Sequence, residues 1–208
     1  MAAFIRQAHG ADVPYLYEIC LKTGDNGKDA SDSFHDPFLL GQYYAAPYFF
    51  HDPGLCFVVE DRFPQGYIVA TEDTIAFRNW LALEWLPPLQ RRYQNPYPPE
   101  KIRTDFERLI RNHLYSPLIV DPCPPWFRSY PAHLHIDLLP AYQRQGLGAK
   151  LLAALFEELE RRGCPGVHLI AGMDNPNAIA FYQKQGLETI QEAPWALTMG
   201  KTFGKRGA

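Results

Sequence analysis

The sequence predicts an α/β fold of the α+β kind: a central, mixed, mostly antiparallel twisted sheet of about seven strands, flanked by helices, with a helical insertion before the fourth strand. Three observations carry this expectation. The last third of the chain alternates strand and helix patterns. The first third sets two strand-like runs close together around a turn. A long segment rich in tryptophan, arginine and proline separates the two. The 208 residues suffice for one compact domain with a substantial core and fall short of two ordinary domains. Residues 1–208 are therefore read as a single domain, with residues 74–130 as the helical, Pro-rich insertion.

The elements follow in order. Phe4 to Gln7 reads as a short first strand. Asp12 is an N-cap candidate, Pro14 suits a first helical turn, and Leu16, Ile19 and Cys20 supply an apolar face that ends at Thr23-Gly24. The polar stretch 25–36, with Asp25, Asp29, Asp32 and Asp36, reads as a loop. A second helix is expected from Phe38 to Ala46, stopped by Pro47. Cys56–Glu60 and Tyr67–Thr71 form a hairpin turned at Pro64-Gln65-Gly66. Thr74–Leu86 and Glu100–Tyr115 have helical composition, joined by proline-rich turns. His133–Leu139 is a strand, and Leu147–Arg162 an amphipathic helix with the stripe Leu147, Leu151, Leu152, Leu155, Phe156 and Leu159. Val167–Ala171 is a buried strand, 175–185 a helix ended by Gly186, and two short strands complete the set.

Composition narrows the function classes. Apolar residues make up 47% and charged residues 21%, with a net charge of −3. This is a globular composition that advertises neither a nucleic-acid nor an anionic-membrane partner. No apolar run reaches the ~20 residues of a membrane span. The N-terminal residues lack the apolar core of a signal peptide, so a cytoplasmic protein is expected. The four cysteines, Cys20, Cys56, Cys123 and Cys164, lie far apart and are read as reduced thiols, with Cys20 and Cys56 in the core.

One string carries chemistry. Gln143-Arg144-Gln145-Gly146-Leu147-Gly148 lies between a strand and a helix N-terminus. The first amides of a helix have no internal partner, and its dipole adds positive potential there. Glycines let a bulky phosphate approach the backbone, and Arg144 and Lys150 add countercharge. The spacing departs from the dinucleotide pattern G-x-G-x-x-G, and no P-loop pattern G-x-x-x-x-G-K-[ST] is present.

The run His135 to Gly148 resembles the acetyl-CoA loop of GNAT acetyltransferases, [RQ]-x-x-G-x-[GA]. Asn175 to Leu187 resembles the family's N-x-x-A-x-x-x-Y-x-x-x-G-F segment, at the family's spacing. The resemblance covers residues 133–190, the expected acetyl-CoA-binding core, and implies the GNAT fold. Segments of the N-terminal half, among them Tyr17–Cys20, Leu40–Tyr48 and Cys56–Asp61, are similar to the acetyltransferase-like C-terminal domain of animal O-GlcNAcase and its free-standing bacterial counterparts. The animal domain is regarded as lacking the cofactor loop, whereas Gln143, Gly146 and Gly148 are present here.

The resemblance implies acetyl-CoA as cofactor and a primary amine, of a small molecule or a protein, as acceptor. It places the cofactor at Leu138, Gln143, Arg144, Gln145, Gly146, Leu147, Gly148, Ala149, Lys150, Asn175 and Tyr182. The amide of Leu138 would be the oxyanion donor and Tyr182 the general acid; Asn175 would lie by the pantetheine arm, cap a helix, or do both. The glutamate that several family members place about ten residues before Pro140 is replaced by Tyr130. Asp137, His133 and His135 share one strand face, and Asp137 is the candidate base, with a strand-end hydrogen bond as its other reading. Asp25 and Asp29 are candidate acceptor-binding carboxylates, with a solvated loop as the other reading. His133 and His135 suggest no metal site without a third ligand. A homodimer is compatible with the chain. A binding module descended from such enzymes, with weak or no turnover, is the alternative function.

Overall fold

The computed structural model describes residues 3–98, 102–116 and 123–204. Among the described residues, seven strands form one mixed sheet in the order β1-β2-β3-β4-β5-β7-β6. They are β1 (Phe4–Gln7), β2 (Cys56–Asp61), β3 (Phe63–Thr71), β4 (Ala132–Leu138), β5 (Gly166–Gly172), β6 (Glu188–Ala193) and β7 (Ala196–Thr202). Every neighbouring pair is antiparallel except β4 and β5. These two are joined by α7 (Leu147–Arg161), the long crossover that a parallel pair requires.

Alternation along the strands builds a core on each face. Val58, Tyr67 and Val69 point to one side, where α1 (Val13–Thr23), α2 (Leu39–Tyr44) and α3 (Ala46–His51) contribute Leu16, Ile19, Leu39 and Tyr48. Val59, Ile68 and Ala70 point to the other, under α7. All six residues of the expected α7 stripe are buried. Each leucine withdrawn from water there contributes about 1.5–3 kcal/mol, so a charge at Leu155 would unseat the helix. Cys20 and Cys56 are buried in the first core.

Several local expectations are corrected. Pro47 does not stop a helix at Ala46. It sits in the first turn of α3, where a missing N–H costs nothing. The hairpin turns at Arg62, with φ +63°, so Pro64, Gln65 and Gly66 lie inside β3. Helix α4 (Thr74–Trp80) does not end before the prolines. It runs through a π-helical turn, Leu81–Trp85, into α5 (Leu86–Arg92). Pro87 and Pro88 lack the amides an α-ladder needs, and the wide turn lets them occupy first-turn positions. The next helix, α6, is Asp105–His113, with the Thr104 hydroxyl accepting from the Glu107 amide. It starts later than expected, and Glu100 lies outside the described residues. Asp12 precedes α1, but its carboxylate is committed to the Arg6 guanidinium, at 2.6 and 2.8 Å, and to the His9 amide at 2.9 Å. The final helix, α8 (Pro176–Lys184), starts after Asn175 as expected.

Candidate active site

The site begins with a seam in the sheet. β4 and β5 pair at Ala132↔Val167 and His133↔His168, at their N-terminal ends. From there β4 keeps its ladder with β3 as far as Gly66↔Leu138, and β5 keeps its ladder with β7 as far as Gly172↔Ala196. Each strand holds to its outer neighbour, so a wedge opens between them. Leu139 donates its amide to the Gln65 carbonyl at 2.9 Å. Antiparallel alternation then turns the odd-numbered backbone groups of β4 toward β3 and the amides of Ile136 and Leu138 into the wedge. The Leu138 carbonyl accepts from Gln143 Nε2 at 2.8 Å, which ties the following loop to the strand end.

That loop leads into α7. Tyr142 anchors it, its hydroxyl donating to Asp61 at 2.9 Å. Arg144 (φ +59°) and Gly146 (φ +75°) both occupy the left-handed region, and Gly146 opens onto free space. Gly148 serves packing: a Cβ there would lie 3.2 Å from Phe181 Cζ and 3.4 Å from Leu138 Cδ1. Strand end, helix start and α8 are thus drawn together around this glycine. Gln143, Arg144, Gln145, Gly146 and Lys150 are exposed, Gly148 and Ala149 half-buried, and Leu147 is buried in the core. The amides opening α7 have no partner within their helix. An exposed helix start, two nearby cations and open space over a glycine fit an elongated anionic group such as the phosphates of acetyl-CoA.

The groups with proton chemistry flank the wedge. Asp137, Tyr182 and the tip of β4 converge. The Asp137 carboxylate accepts from the Tyr67 hydroxyl at 2.6 Å, and burial nevertheless raises its pKa above the usual Asp range. Tyr182, on α8, packs with Phe181 on the α7 side. Burial first, and the Asp137 charge second, raise its pKa, so the phenol keeps its proton at neutral pH. Asn175 accepts from the Ala178 amide at 3.1 Å and so does cap α8.

The two strand histidines separate in role. His133 is locked by Tyr48 and Thr74 hydroxyls, each at 2.7 Å from a ring nitrogen. His135 lies between the Tyr44 and Tyr48 rings, with centroids at 5.2 and 5.3 Å. Burial pushes its pKa down to about 4, so it is neutral at neutral pH. No group of three metal-ligating side chains occurs among the described residues.

Of the loop carboxylates, Asp25 and Asp29 are exposed, and Asp29 accepts from the Ser31 amide at 2.8 Å. Asp36 is drawn away by Arg92, at 2.8 Å, and by the Tyr93 hydroxyl. The part of this loop nearest the wedge is Asn26-Gly27. Asn26 donates to Asp174 at 2.8 Å, and Gly27 faces Gln143. An Asn-Gly turn signal was there to find, but its two partners lie far along the chain.

With this geometry in place, the comparisons can be set beside it. The model for the acetyltransferase (GNAT) family matches residues 74–187. The chain belongs to the GNAT acetyltransferase family. It is similar to a solved structure described as SsHAT, 30% identical with a TM-score of 0.85, over 97% of this chain and 98% of that one. That likeness takes in the N-terminal half and bears out the branch to which its segments pointed. The [ribosomal protein bS18]-alanine N-acetyltransferase of Escherichia coli (strain K12) is 42% identical over 69 residues, 32% of this chain and 47% of that protein. The chain thus spans about half the length of this curated relative. A Salmonella typhimurium acetyltransferase structure, yncA with its cofactor acetyl-CoA, shares the fold, with a TM-score of 0.55 at 16% identity over 100% of this chain and 98% of that one. Among the described residues no helix is long and apolar enough to cross a membrane.

Residues that the GNAT motifs do not announce also shape the site. Tyr67 holds Asp137, yet in the sequence it reads as one more apolar strand residue. Trp195 and Ile170 expose large apolar surfaces on the same side of the sheet, and only the pairing of β5 with β7 brings them together.

Proposed function

We propose that the protein transfers the acetyl group of acetyl-CoA directly to a primary amine, with the wedge between β4 and β5 as the reaction centre. The observation that carries this reading is the convergence of three groups there: the Leu138 amide, the Gly146–Gly148 helix start and the Tyr182 phenol. Acetyl-CoA supplies a thioester carbonyl with a thiolate leaving group. The exposed start of α7, with Arg144 and Lys150, binds the phosphates; Gln145 and Ala149 border this cradle, and Asn175 orients the approach to α8. The Leu138 amide donates to the oxygen on which negative charge grows. Tyr182 is protonated at neutral pH and gives its proton to the departing sulfur. Asp137, facing the wedge from the other side, receives the amine's proton through water. Asp25 and Asp29 add negative potential on the acceptor side, which favours a cationic amine.

Calorimetric titration of acetyl-CoA into the wild type and Gly146→Trp tests the cradle. Micromolar or tighter binding by the wild type, abolished in the variant, is the expected result. If neither protein binds, the reading fails. If the wild type binds and turns over no member of an amine panel, the chain is a cofactor-binding module.

A further inference from the structure

A cavity of about 200 Å³ lies beside the wedge, between the turn Pro125–Arg128 and the sheet face formed by β5, β7 and β6. Trp126, Phe127 and Trp195 supply ring walls, Ile170 the floor and Arg78 the charge. The cavity is below the 300–1,000 Å³ of sites for drug-sized ligands, so it suits one ring. Its walls are held in place. Trp126 donates from Nε1 to Gln191 at 3.0 Å, and Phe127 stacks on His168 at 5.5 Å. Ile170 and Trp195 are nonetheless 59% and 69% exposed, so apolar surface faces an opening that no described residue fills.

Arg78 is the unusual member. Its guanidinium lies 5.7 Å over the Phe127 ring, and the residue is half-buried. Among the described residues no carboxylate lies within ion-pairing distance of it. The neighbouring His168 and His133 remain neutral, both pushed down by burial and, to a lesser extent, by the Arg78 charge. A half-covered guanidinium beside apolar rings is costly without a counter-anion, and its planar fork matches a carboxylate or phosphate.

Position links the cavity to the wedge. In the parallel register His168 stands beside His133. Counted along the two diverging strands from that rung, Ile170 is the counterpart of His135 and Gly172 of Asp137, two and four residues on and on one face. At about 3.3 Å per residue, the cavity starts about 7 Å from the level of Asp137, and His168 lies about 13 Å away.

We propose that this cavity receives the distal part of the acceptor, a flat apolar group carrying an anion about 7–13 Å from the reacting amine, with Arg78 as the anion's partner. The acceptor role rests on the acetyltransferase reading, whereas binding in the cavity does not.

The test separates the two. Tryptophan fluorescence is followed during titration with 4-ethylbenzoate, and with uncharged 4-ethylbenzyl alcohol, in the wild type and in Arg78→Leu. Saturable quenching by the benzoate, at least about tenfold stronger than by the alcohol and reduced to the alcohol's level in Arg78→Leu, is expected for a charge-assisted contact. Absence of saturation, or equal binding by the variant, overturns the proposal. With acetyl-CoA, 4-(2-aminoethyl)benzoate is then compared with 2-phenylethylamine. A kcat/KM preference of about tenfold or more for the benzoate, lost in Arg78→Leu while 2-phenylethylamine turnover is retained, supports the acceptor role. Turnover of both amines without preference overturns that role. Binding with no turnover of either amine, or of the wider amine panel, keeps the cavity and sinks the acetyltransferase reading.

Discussion

Glu107, on α6, offers a sharp test of what holds the loop beside the acceptor side. Its side chain is fully buried and satisfies four donors. One oxygen accepts from Arg111 at 3.1 and 2.8 Å; the other accepts from the amides of His35 at 3.2 Å and Arg103 at 2.9 Å. Arg111 is itself buried, with its guanidinium 5.3 and 5.2 Å from the Tyr93 and Tyr97 rings. Glu107→Gln keeps the shape and removes the charge. Breaking a buried pair from one side costs about 3–5 kcal/mol, because the other charge stays buried. An amide also presents N–H groups to one of the two donor sets. Set against a total stability of about 5–15 kcal/mol, this is a large fraction, and at about 2–4 °C per kcal/mol Tm falls by roughly 6–20 °C. Urea unfolding measures the loss directly. Adding Arg111→Met should recover about 2 kcal/mol or more, since the orphaned charge disappears. A single-variant cost below about 1 kcal/mol, or no recovery in the double variant, would refute the assignment. Amide exchange at His35 should quicken in Glu107→Gln, because the amide loses its charged acceptor.

Three further outcomes are expected. Tyr182→Phe should lower kcat/KM for amine acetylation by about 10²–10⁴ and leave acetyl-CoA affinity, measured by calorimetry, unchanged; equal turnover would remove Tyr182 from the chemistry. Gly148→Val should cost about 1–3 kcal/mol from overpacking against Phe181 and Leu138 and weaken acetyl-CoA binding, read by thermal melts with and without the ligand. Asp137 holds its proton more tightly in the folded than in the unfolded chain. Its contribution to stability is therefore full below the ordinary Asp range and is lost as pH rises through the raised value. Asp137→Asn should flatten that slope in urea melts across acid pH, and an unchanged slope would show that another group carries it.

The strongly periodic parts of the fold were legible because one local rule governs them. The α7 stripe, the β4 alternation and the Asn175 start of α8 all follow from spacing within one element. Most of the misread places are those where a proline had two possible uses. Pro47, Pro87 and Pro88 look like breakers in sequence, yet each sits in a helical first turn, and Pro64 entered a strand because Arg62 made the turn alone. In the site, Gly146 and Gly148 could be found as a motif because a helix start next to a strand is a local arrangement. The Tyr67–Asp137 bond and the Asn26–Asp174 contact were out of reach, since strand register and loop closure bring together residues 70 and 148 positions apart.

The two-rung seam between β4 and β5 also bears on how the molecule persists. The sheet on one side of it, β1 to β4, is a continuous antiparallel unit, and so is β5-β7-β6 on the other. Cohesion between the units rests on those two rungs, on the core that α7 covers, and on contacts such as Asn26–Asp174 and Phe127–His168. A molecule lodged in the wedge touches both units, and its binding free energy opposes their separation. At a concentration one hundred times its Kd, a ligand exclusive to the folded state adds about 2.7 kcal/mol, comparable to the burial of a core leucine. Sub-global opening, the route by which proteases gain access, would then slow as ligand accumulates. With the proposed ligand seated there, the gap in the ladder would make the protein's lifetime a readout of how much ligand surrounds it.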